Sequence, residues 1–172
     1  MIVILDNIRS LHNVGSIFRT ADAVGTEKLY LCGITPAPAD RFGAVPGALA
    51  KVALGAEKTV AWEKVASTSR LITKLKKEGF TIVALEKTPD SIPYSEYRSQ
   101  IPRLRDDKKT KVDTQKLALI LGAEVDGISP AILKKCDTVI EIPMQGIKES
   151  LNVGVAFGIA AYHLSLSRWT KK

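Results

Sequence analysis

The chain is poor in the side chains that bind metals or form disulfides. Its 172 residues include two cysteines and two histidines. Cys32 and Cys136 lie far apart in the sequence, as do His12 and His163. Zinc sites draw on closely spaced Cys and His ligands, so this spacing argues against a metal site and a metal-dependent mechanism. Free cysteine is among the most buried residue types, and we expect two buried, unpaired thiols.

Long apolar runs are also missing. No stretch approaches the roughly 20 apolar residues that a membrane-spanning helix needs. Residues 2–5 are apolar and polar residues follow, a pattern too short for a secretory leader. We therefore expect a cytoplasmic protein with no membrane partner. The hydrophobic content of 45% and the charged content of 25% are typical of a globular protein, and the length predicts one domain over residues 1–172.

The common nucleotide-binding patterns are absent as well. No GxGxxG follows a predicted strand, which leaves a dinucleotide-dependent oxidoreductase without support. Gly122 and Gly127 have the spacing of the two P-loop glycines, but Ile128 and Ser129 follow where the phosphate-binding lysine would stand. A serine nucleophile elbow is missing too.

The charge is predominantly positive. Lys and Arg number 25 against 18 Asp and Glu, which gives a net charge of +7. A basic balance favours a polyanionic partner. Since a run of charge is more often a solvated surface, the charge supports RNA as a partner without establishing it. The cations concentrate in three places: Lys74 with Lys76 and Lys77, residues 103–111, and residues 168–172.

Strand and helix patterns alternate along the chain, as in an α/β fold. Short apolar runs predict strands at residues 2–5, 28–32, 59–62, 81–85, 117–121 and 138–142. Helical periodicity predicts helices at residues 13–24, 48–54, 65–78, 129–135 and 151–169. Residues 33–47 and 87–114 contain most of the prolines and are predicted loops. The predicted caps are Asn13 and Ser129 at helix starts and Gly25 at a helix end.

Three motifs stand out as candidates for chemistry. The first, residues 7–25, joins a strand to a helix and places Arg19 in the second helical turn if Asn13 is the cap. The alternative is that Arg19 is simply a solvated helix residue. The second, residues 119–129, follows a buried strand with Gly122, Glu124 and Gly127. Glycines at the carboxyl end of a strand allow a ligand to approach the backbone, although a plain glycine turn fits the same pattern.

The third motif, residues 140–164, runs from a strand through a polar loop into a helix. Glycine inside a helix costs about 1 kcal/mol relative to alanine, so its recurrence suggests that something packs very close to this helix. A crossing segment or another subunit would fit. The small residues are Gly154, Ala156, Gly158, Ala160 and Ala161.

Together, in this order and spacing, the three motifs closely resemble the SpoU/TrmH family of the SPOUT methyltransferase superfamily. In the first motif the matching residues are Asn7, Asn13, Gly15, Arg19, Thr20, Ala21, Ala23 and Gly25. In the second they are Gly122, Ala123, Glu124, Gly127 and Ile128, and in the third Ile142, Pro143, Met144, Gly146, Ser150, Leu151, Asn152, Val153 and Ala156. Two departures are Ser10-Leu11 in place of an Asp-Pro pair and Ala123 where many relatives have Asn.

The resemblance implies a fold, a cofactor and an assembly. The expected fold is a mostly parallel sheet flanked by helices, with a deep trefoil knot formed from about residue 117 to residue 172. The expected activity is methylation of a ribose 2′-hydroxyl in tRNA or rRNA with S-adenosyl-L-methionine, by a homodimer whose active site lies at the subunit interface. The expected cofactor-binding residues are Leu121, Gly122, Ile142, Met144, Ser150 and Leu151.

The resemblance also assigns activation of the ribose hydroxyl to Arg19. A free arginine is an implausible base because its pKa exceeds about 12. Our hypothesis is that Arg19 binds the adjacent phosphate in a bidentate manner and stabilises the developing alkoxide. Asn13, Glu124, Ser150 and Asn152 would orient Arg19 and the ribose.

Two rival interpretations remain at this point. One is a binding module that has kept the fold and lost catalysis. Its mark would be loss of Arg19, Glu124, Ser150 or Asn152, and all four are present. The other is a base methyltransferase from a different SPOUT branch, and such branches lack the first and third motifs in this form.

Overall fold

In the part of the chain that the structure describes, seven parallel strands make up the central sheet. The computed structural model describes residues 1–39, 43–97 and 116–169, with side chains described as far as residue 165. The strands are β1 (Ile2–Asp6), β2 (Lys28–Cys32), β3 (Trp62–Val65), β4 (Thr81–Leu85), β5 (Ile92–Pro93), β6 (Leu117–Leu121) and β7 (Thr138–Glu141). Their order is β3-β2-β1-β6-β4-β7-β5, and every pairing between these described strands is parallel.

Helices cover both faces of this sheet. They are α1 (Leu11–Val24), α2 (Gly47–Ala53), α3 (Ala56–Thr59), α4 (Thr68–Lys77), α5 (Pro130–Leu133) and α6 (Val153–Trp169). The predicted α/β architecture, a parallel sheet flanked by helices, is therefore confirmed. The knot remains a prediction. Within the described residues, no helix has both the length and the apolar content needed to cross a membrane.

Alternate side chains of the central strands feed two separate cores. On one face Leu5 and Leu119 pack with Phe18 of α1 and Phe157 of α6. On the other face Ile4, Ile120 and their neighbours pack with Leu75 of α4. Strands buried on both faces are continuous apolar runs, which is why β1 and β6 were predictable from sequence alone.

The start of α1 differs from the prediction. The helix begins at Leu11, and Ser10 is its cap, with a side chain that accepts a hydrogen bond from the Asn13 backbone. Asn13 is therefore inside the first turn and Arg19 is in the third turn rather than the second. Asn13 is buried, and its side chain is hydrogen-bonded to Glu124 and Asn152 instead of capping the helix. The other end agrees with the prediction, since Gly25 ends the helix with a φ of 71°.

The region after α2 was predicted less well. Residues 59–62 were expected to form a strand, but Thr59 belongs to α3 and the strand is β3, which pairs with β2. The helix expected from residue 65 begins at Thr68, because Val65 pairs with Cys32 and Ser67 caps α4. Both errors assign residues at the ends of α3 and β3 to the wrong element. Each of these elements has only four residues, too few to show a periodic pattern of its own.

Smaller shifts occur toward the C-terminus. The helix predicted at residues 129–135 is shorter, Pro130–Leu133, with Ser129 at its cap position. The last helix begins at Val153 rather than residue 151, and β7 ends at Glu141. The predicted loop at residues 87–114 contains the two-residue strand β5, and residues 98–115 lie outside the described part of the chain.

The two thiols are both free. Cys32 is buried and Cys136 is partly buried, so full burial is confirmed for Cys32 alone. Burial raises the pKa of each thiol to about 11, which leaves both as neutral thiols at pH 7.

Candidate active site

A cleft of about 380 Å³ opens at the carboxyl ends of β4, β6 and β7. These three strands are neighbours in a parallel sheet, so the segments that follow them converge at one edge. The loop after β6 carries the second motif, and the segment between β7 and α6 carries the third. All of the predicted cofactor residues line this cleft: Leu121, Gly122, Ile142, Met144, Ser150 and Leu151. Their binding role stays a prediction.

The loop after β6 folds tightly back on itself. A Cβ atom on Gly122 would lie 2.4 Å from the carbonyl carbon of Gly127 and 2.6 Å from the backbone nitrogen of Ile128. Gly127 has a φ of 63°, and its N–H donates to the Ala123 carbonyl at 3.0 Å. Both glycines are therefore required by the loop itself, whether or not a ligand approaches.

Glu86 is a cleft residue that sequence reasoning missed. It follows β4 directly, lines the cleft and is half-buried. Its carboxylate accepts hydrogen bonds from the backbone N–H of Ile128 at 2.8 Å and of Lys87 at 3.1 Å. An acidic residue immediately after a buried strand was the signal in the sequence, but it stood outside the three motifs.

A chain of hydrogen bonds joins the three motifs. The N–H of Gly154 donates to Asn152 Oδ1 at 2.9 Å, and Asn152 Nδ2 donates to Asn13 Oδ1 at 3.0 Å. Asn13 Nδ2 then donates to Glu124 Oε1 at 2.8 Å. Asn152 thus caps α6, and Asn13 uses both ends of its amide to bridge the other two residues. The sequence predicted that these residues act together; the structure supplies the order in which they connect.

Glu124 is the acceptor at the end of this chain of hydrogen bonds. The backbone N–H groups of Arg9 and Ser10 each donate to its carboxylate at 3.1 Å, in addition to Asn13. Desolvation raises the pKa of the Glu124 carboxyl, but the hydrogen bonds from Arg9, Asn13 and Ser10 outweigh that effect and hold the pKa below its ordinary value of 4.5. Glu124 is therefore ionised at neutral pH and holds the start of α1 against the loop after β6.

Ser150 and Arg19 lie outside this chain of hydrogen bonds. Ser150 is exposed and lines the cleft. Arg19 is also exposed, but it is not among the residues that line the cleft, and it makes no hydrogen bond or ion pair with another described residue. It lies six residues beyond Asn13 on α1, about 9 Å further along the helix axis. The structure thus does not bring Arg19 together with the other predicted catalytic residues of its own chain.

The cleft is acidic although the protein as a whole is basic. Lys87 is the cation among its described lining residues. A cavity whose charged lining residues are mostly acidic favours a ligand that carries positive charge. The acidic lining residues are Glu86, Glu124, Asp126, Glu141 and Glu149.

The amino-acid sequence that forms this sheet and cleft matches a known protein family. Residues 1–162 match the SpoU rRNA Methylase family. The chain belongs to this family.

Individual SpoU relatives support the assignment. The 23S rRNA (guanosine-2′-O-)-methyltransferase RlmB of Ralstonia nicotianae is 33% identical over 162 residues, which cover 94% of this chain and 57% of that protein. The crystal structure of the Aquifex aeolicus TrmH/SpoU tRNA modifying enzyme has a TM-score of 0.78 and 32% identity, covering 99% of this chain and 76% of that one.

A third comparison concerns the fold alone. The SpoU methyltransferase AviRb from Streptomyces viridochromogenes, solved in complex with the cofactor AdoMet, has a TM-score of 0.78 at 23% identity, covering 99% of this chain and 61% of that one. This SpoU chain spans about three fifths of the length of the RlmB proteins that it matches.

Proposed function

We propose that this chain is an RNA methyltransferase that transfers a methyl group from S-adenosyl-L-methionine to a ribose 2′-hydroxyl of tRNA or rRNA. The observation that carries the proposal is the cleft in which the second and third family motifs meet, joined to the first motif through the hydrogen bonds of Asn13. RlmB is a 23S rRNA 2′-O-methyltransferase by name, and the Aquifex protein is a tRNA modifying enzyme, so both RNA classes remain candidates.

The cleft suits the proposed cofactor in size and charge. Its 380 Å³ falls within the roughly 300–1,000 Å³ of small-molecule sites. S-adenosyl-L-methionine, when bound, would supply an electrophilic methyl group on a sulfonium sulfur. Carboxylates around the cleft complement the positive charge of that sulfur. The residues that would hold the cofactor are the six predicted ones, and a related structure was solved with AdoMet.

The remaining chemistry is activation of a hydroxyl group with a very high pKa. We assign Arg19 to the neighbouring RNA phosphate and to the developing alkoxide, for which its planar guanidinium is well suited. Ser150 and Asn152 lie at the cleft, where they would contact the ribose. Asn13 is only 7% exposed and both ends of its amide are engaged, so we assign it, with Glu124, to positioning rather than to contact with RNA.

The position of Arg19 supports a dimer. Arg19 does not line the cleft of its own chain, and it would act at the cleft of a second subunit. Apolar side chains are exposed next to the cleft and along α6, where Leu151 is 37%, Val155 54% and Tyr162 41% exposed. Because Leu151 also lines the cleft, burying this surface against a second copy would place the cleft at the interface.

Two further parts of the proposal concern the whole chain. We propose one domain over residues 1–172, knotted from about residue 117. We also propose that Lys74, Lys76 and Lys77 contact RNA; all three are exposed on α4, although Lys76 pairs with Asp137 at 2.6 Å. The basic run at residues 103–111 lies outside the described residues, and the run at 168–172 lies outside the described side chains.

The direct test is methyl transfer in vitro. Purified protein is incubated with tritiated S-adenosyl-L-methionine and bulk tRNA or rRNA, and labelled RNA is digested to nucleosides. We expect label in 2′-O-methylnucleosides only. Label on a base would indicate a base methyltransferase, and cofactor binding without any transfer to RNA would indicate a binding module.

A further inference from the structure

Glu86 holds a fixed carboxylate inside the cleft. The Ile128 and Lys87 N–H groups donate to different oxygens of this side chain, Oε2 and Oε1 respectively. A carboxylate anchored at both oxygens has one orientation. In addition, a Cβ atom on Gly127 would lie 2.5 Å from Glu86 Oε2, so the glycine leaves room for this carboxylate against the loop.

The carboxylate has unused acceptor capacity. Its two oxygens offer about four acceptor positions, and the two backbone donors occupy two of them. Glu86 also lines the cleft between Leu121 and Gly122 on one side and Ile142 on the other, since β4 lies between β6 and β7. A ligand in the cleft therefore meets a carboxylate that can accept from two adjacent donors.

We propose that Glu86 binds the ribose hydroxyls of S-adenosyl-L-methionine, a role additional to its support of the loop after β6. The two neighbouring hydroxyls of a ribose are a matched pair of donors for one carboxylate. An acidic residue that follows a parallel strand, next to a glycine loop on the neighbouring strand, is a general solution for binding the ribose of a nucleotide. This proposal rests on the proposed cofactor of the cleft.

The test is a set of binding measurements that need no turnover. Isothermal titration compares S-adenosylhomocysteine with its 2′-deoxy and 3′-deoxy analogues, on the wild-type chain and on Glu86→Gln. We expect Glu86→Gln to weaken S-adenosylhomocysteine about 10–100-fold, the range for a hydrogen bond to a charged group. Removal of a hydroxyl should weaken binding to the wild type and have little effect on binding to the variant.

Each alternative gives a different pattern. If Glu86 only supports the loop, Glu86→Gln weakens all three ligands by the same factor, and the proposal is overturned. It is also overturned if the effect of the variant vanishes with 5′-methylthioadenosine, since that ligand lacks the amino-acid part and keeps the ribose. Failure of the wild type to bind S-adenosylhomocysteine would instead overturn the proposed function.

Asp90→Asn is the matched control. It makes the same change of charge four residues away, at an exposed position that is not among the cleft residues. We expect it to bind all of the ligands as the wild type does. A melting curve for each variant shows whether Glu86→Gln remains folded, and Glu86→Asp provides a second variant that keeps the charge and shortens the side chain.

Discussion

Arg19 and Asn13 lie on the same helix, yet their surroundings are opposite. Asn13 is buried and hydrogen-bonded at both ends of its amide, whereas Arg19 is exposed and has no partner among the described residues. A long cationic side chain that is exposed and without a described partner is suited to bind something outside the subunit. We therefore propose different roles for the two residues: Asn13 positions its neighbours, and Arg19 contacts RNA.

The first prediction concerns Arg19. Arg19→Ala should lower the rate of single-turnover methylation about 10²–10³-fold, the usual loss for one donor to a developing oxyanion. Arg19→Lys should restore little, because an ammonium group lacks the bidentate fork. Affinity for S-adenosylhomocysteine should be unchanged. Arg70→Ala, at an exposed position on α4, is the control and should keep normal turnover. Near-normal turnover of Arg19→Ala would remove Arg19 from the active site.

The second prediction concerns the pH dependence of stability. Because hydrogen bonds hold the pKa of Glu124 below 4.5 in the folded state, its contribution to stability is full above that pH and is lost as the pH falls through the folded pKa. Urea unfolding from about pH 6 down to about pH 3 should thus show a smaller loss of unfolding free energy for Glu124→Gln than for the wild type.

The control for this measurement is another acid of the cleft. Glu149 is exposed and accepts no hydrogen bond from a described residue. Glu149→Gln should follow the pH dependence of the wild type. Equal pH dependence in the wild type and Glu124→Gln would mean that the hydrogen bonds at Glu124 do not favour its ionised form.

At the scale of elements, α1 is the helix against which α2, α3 and α6 pack. A Cβ atom on Gly15 would lie 2.8 Å from the Leu49 carbonyl oxygen, so this glycine allows α2 to approach. On another face Ser16 and Thr20 meet Gly154 and Gly158 of α6. The close packing predicted from the small residues of the last helix is therefore confirmed at Gly154, where the partner is a crossing helix of the same chain, whereas Gly158 has room for a Cβ.

The third prediction uses the two glycines of α6 as a matched pair. A Cβ on Gly154 would lie 3.0 Å from Ser16 Oγ and 3.2 Å from Asn152 Oδ1, whereas a Cβ on Gly158 would meet only Thr20 Cγ2 at 3.8 Å. Gly158→Ala should therefore raise the unfolding free energy, by up to about 1 kcal/mol from helix propensity. Gly154→Ala should lower the unfolding free energy, because Ser16 and the capping Asn152 must move. Urea titration of both variants tests this, and equal changes would contradict the packing argument.

At the scale of the whole molecule, an acidic cleft and exposed apolar side chains lie next to each other. Acidic residues line the cleft, while the net charge of the chain is +7. The exposed apolar residues Leu151, Val155 and Tyr162 lie beside the cleft and on α6. Exposed apolar side chains at the cleft suit the proposed contact with a second copy of the chain, and the net positive charge suits the proposed RNA partner.

The fourth prediction is that the protein is a dimer with shared active sites. Light scattering should give a mass near twice 18.7 kDa, and Val155→Glu should shift it to the monomer. Leu54→Glu is the control, since Leu54 is 65% exposed between α2 and α3.

Complementation tests the sharing directly. Arg19→Ala is mixed with Ile142→Trp, whose larger side chain would fill the cleft. If Arg19 acts at the partner's cleft, each mixed dimer has one intact site, and random mixing should restore about a quarter of the wild-type activity. No recovery would mean that each subunit uses its own Arg19.

Much of this protein was predictable from local sequence. The strands β1, β2, β4 and β6 are short apolar runs, because strands buried on both faces need apolar residues. Gly25 ends α1 as expected, because the left-handed backbone conformation there favours glycine. The family followed from three motifs. The six predicted cofactor residues all line the cleft, because the motif positions follow strands that end at the same edge.

Only the tertiary structure decided which residues distant in sequence come into contact. Asn13 looked like a helix cap, but Glu124 and Asn152, more than 100 residues away, occupy both ends of its amide, so Ser10 caps the helix instead. Glu86 belongs to no motif, and it reached the cleft because β4 pairs between β6 and β7. No local pattern records such pairings, since hydrogen bonds between distant segments form only once the order of the strands has brought them together.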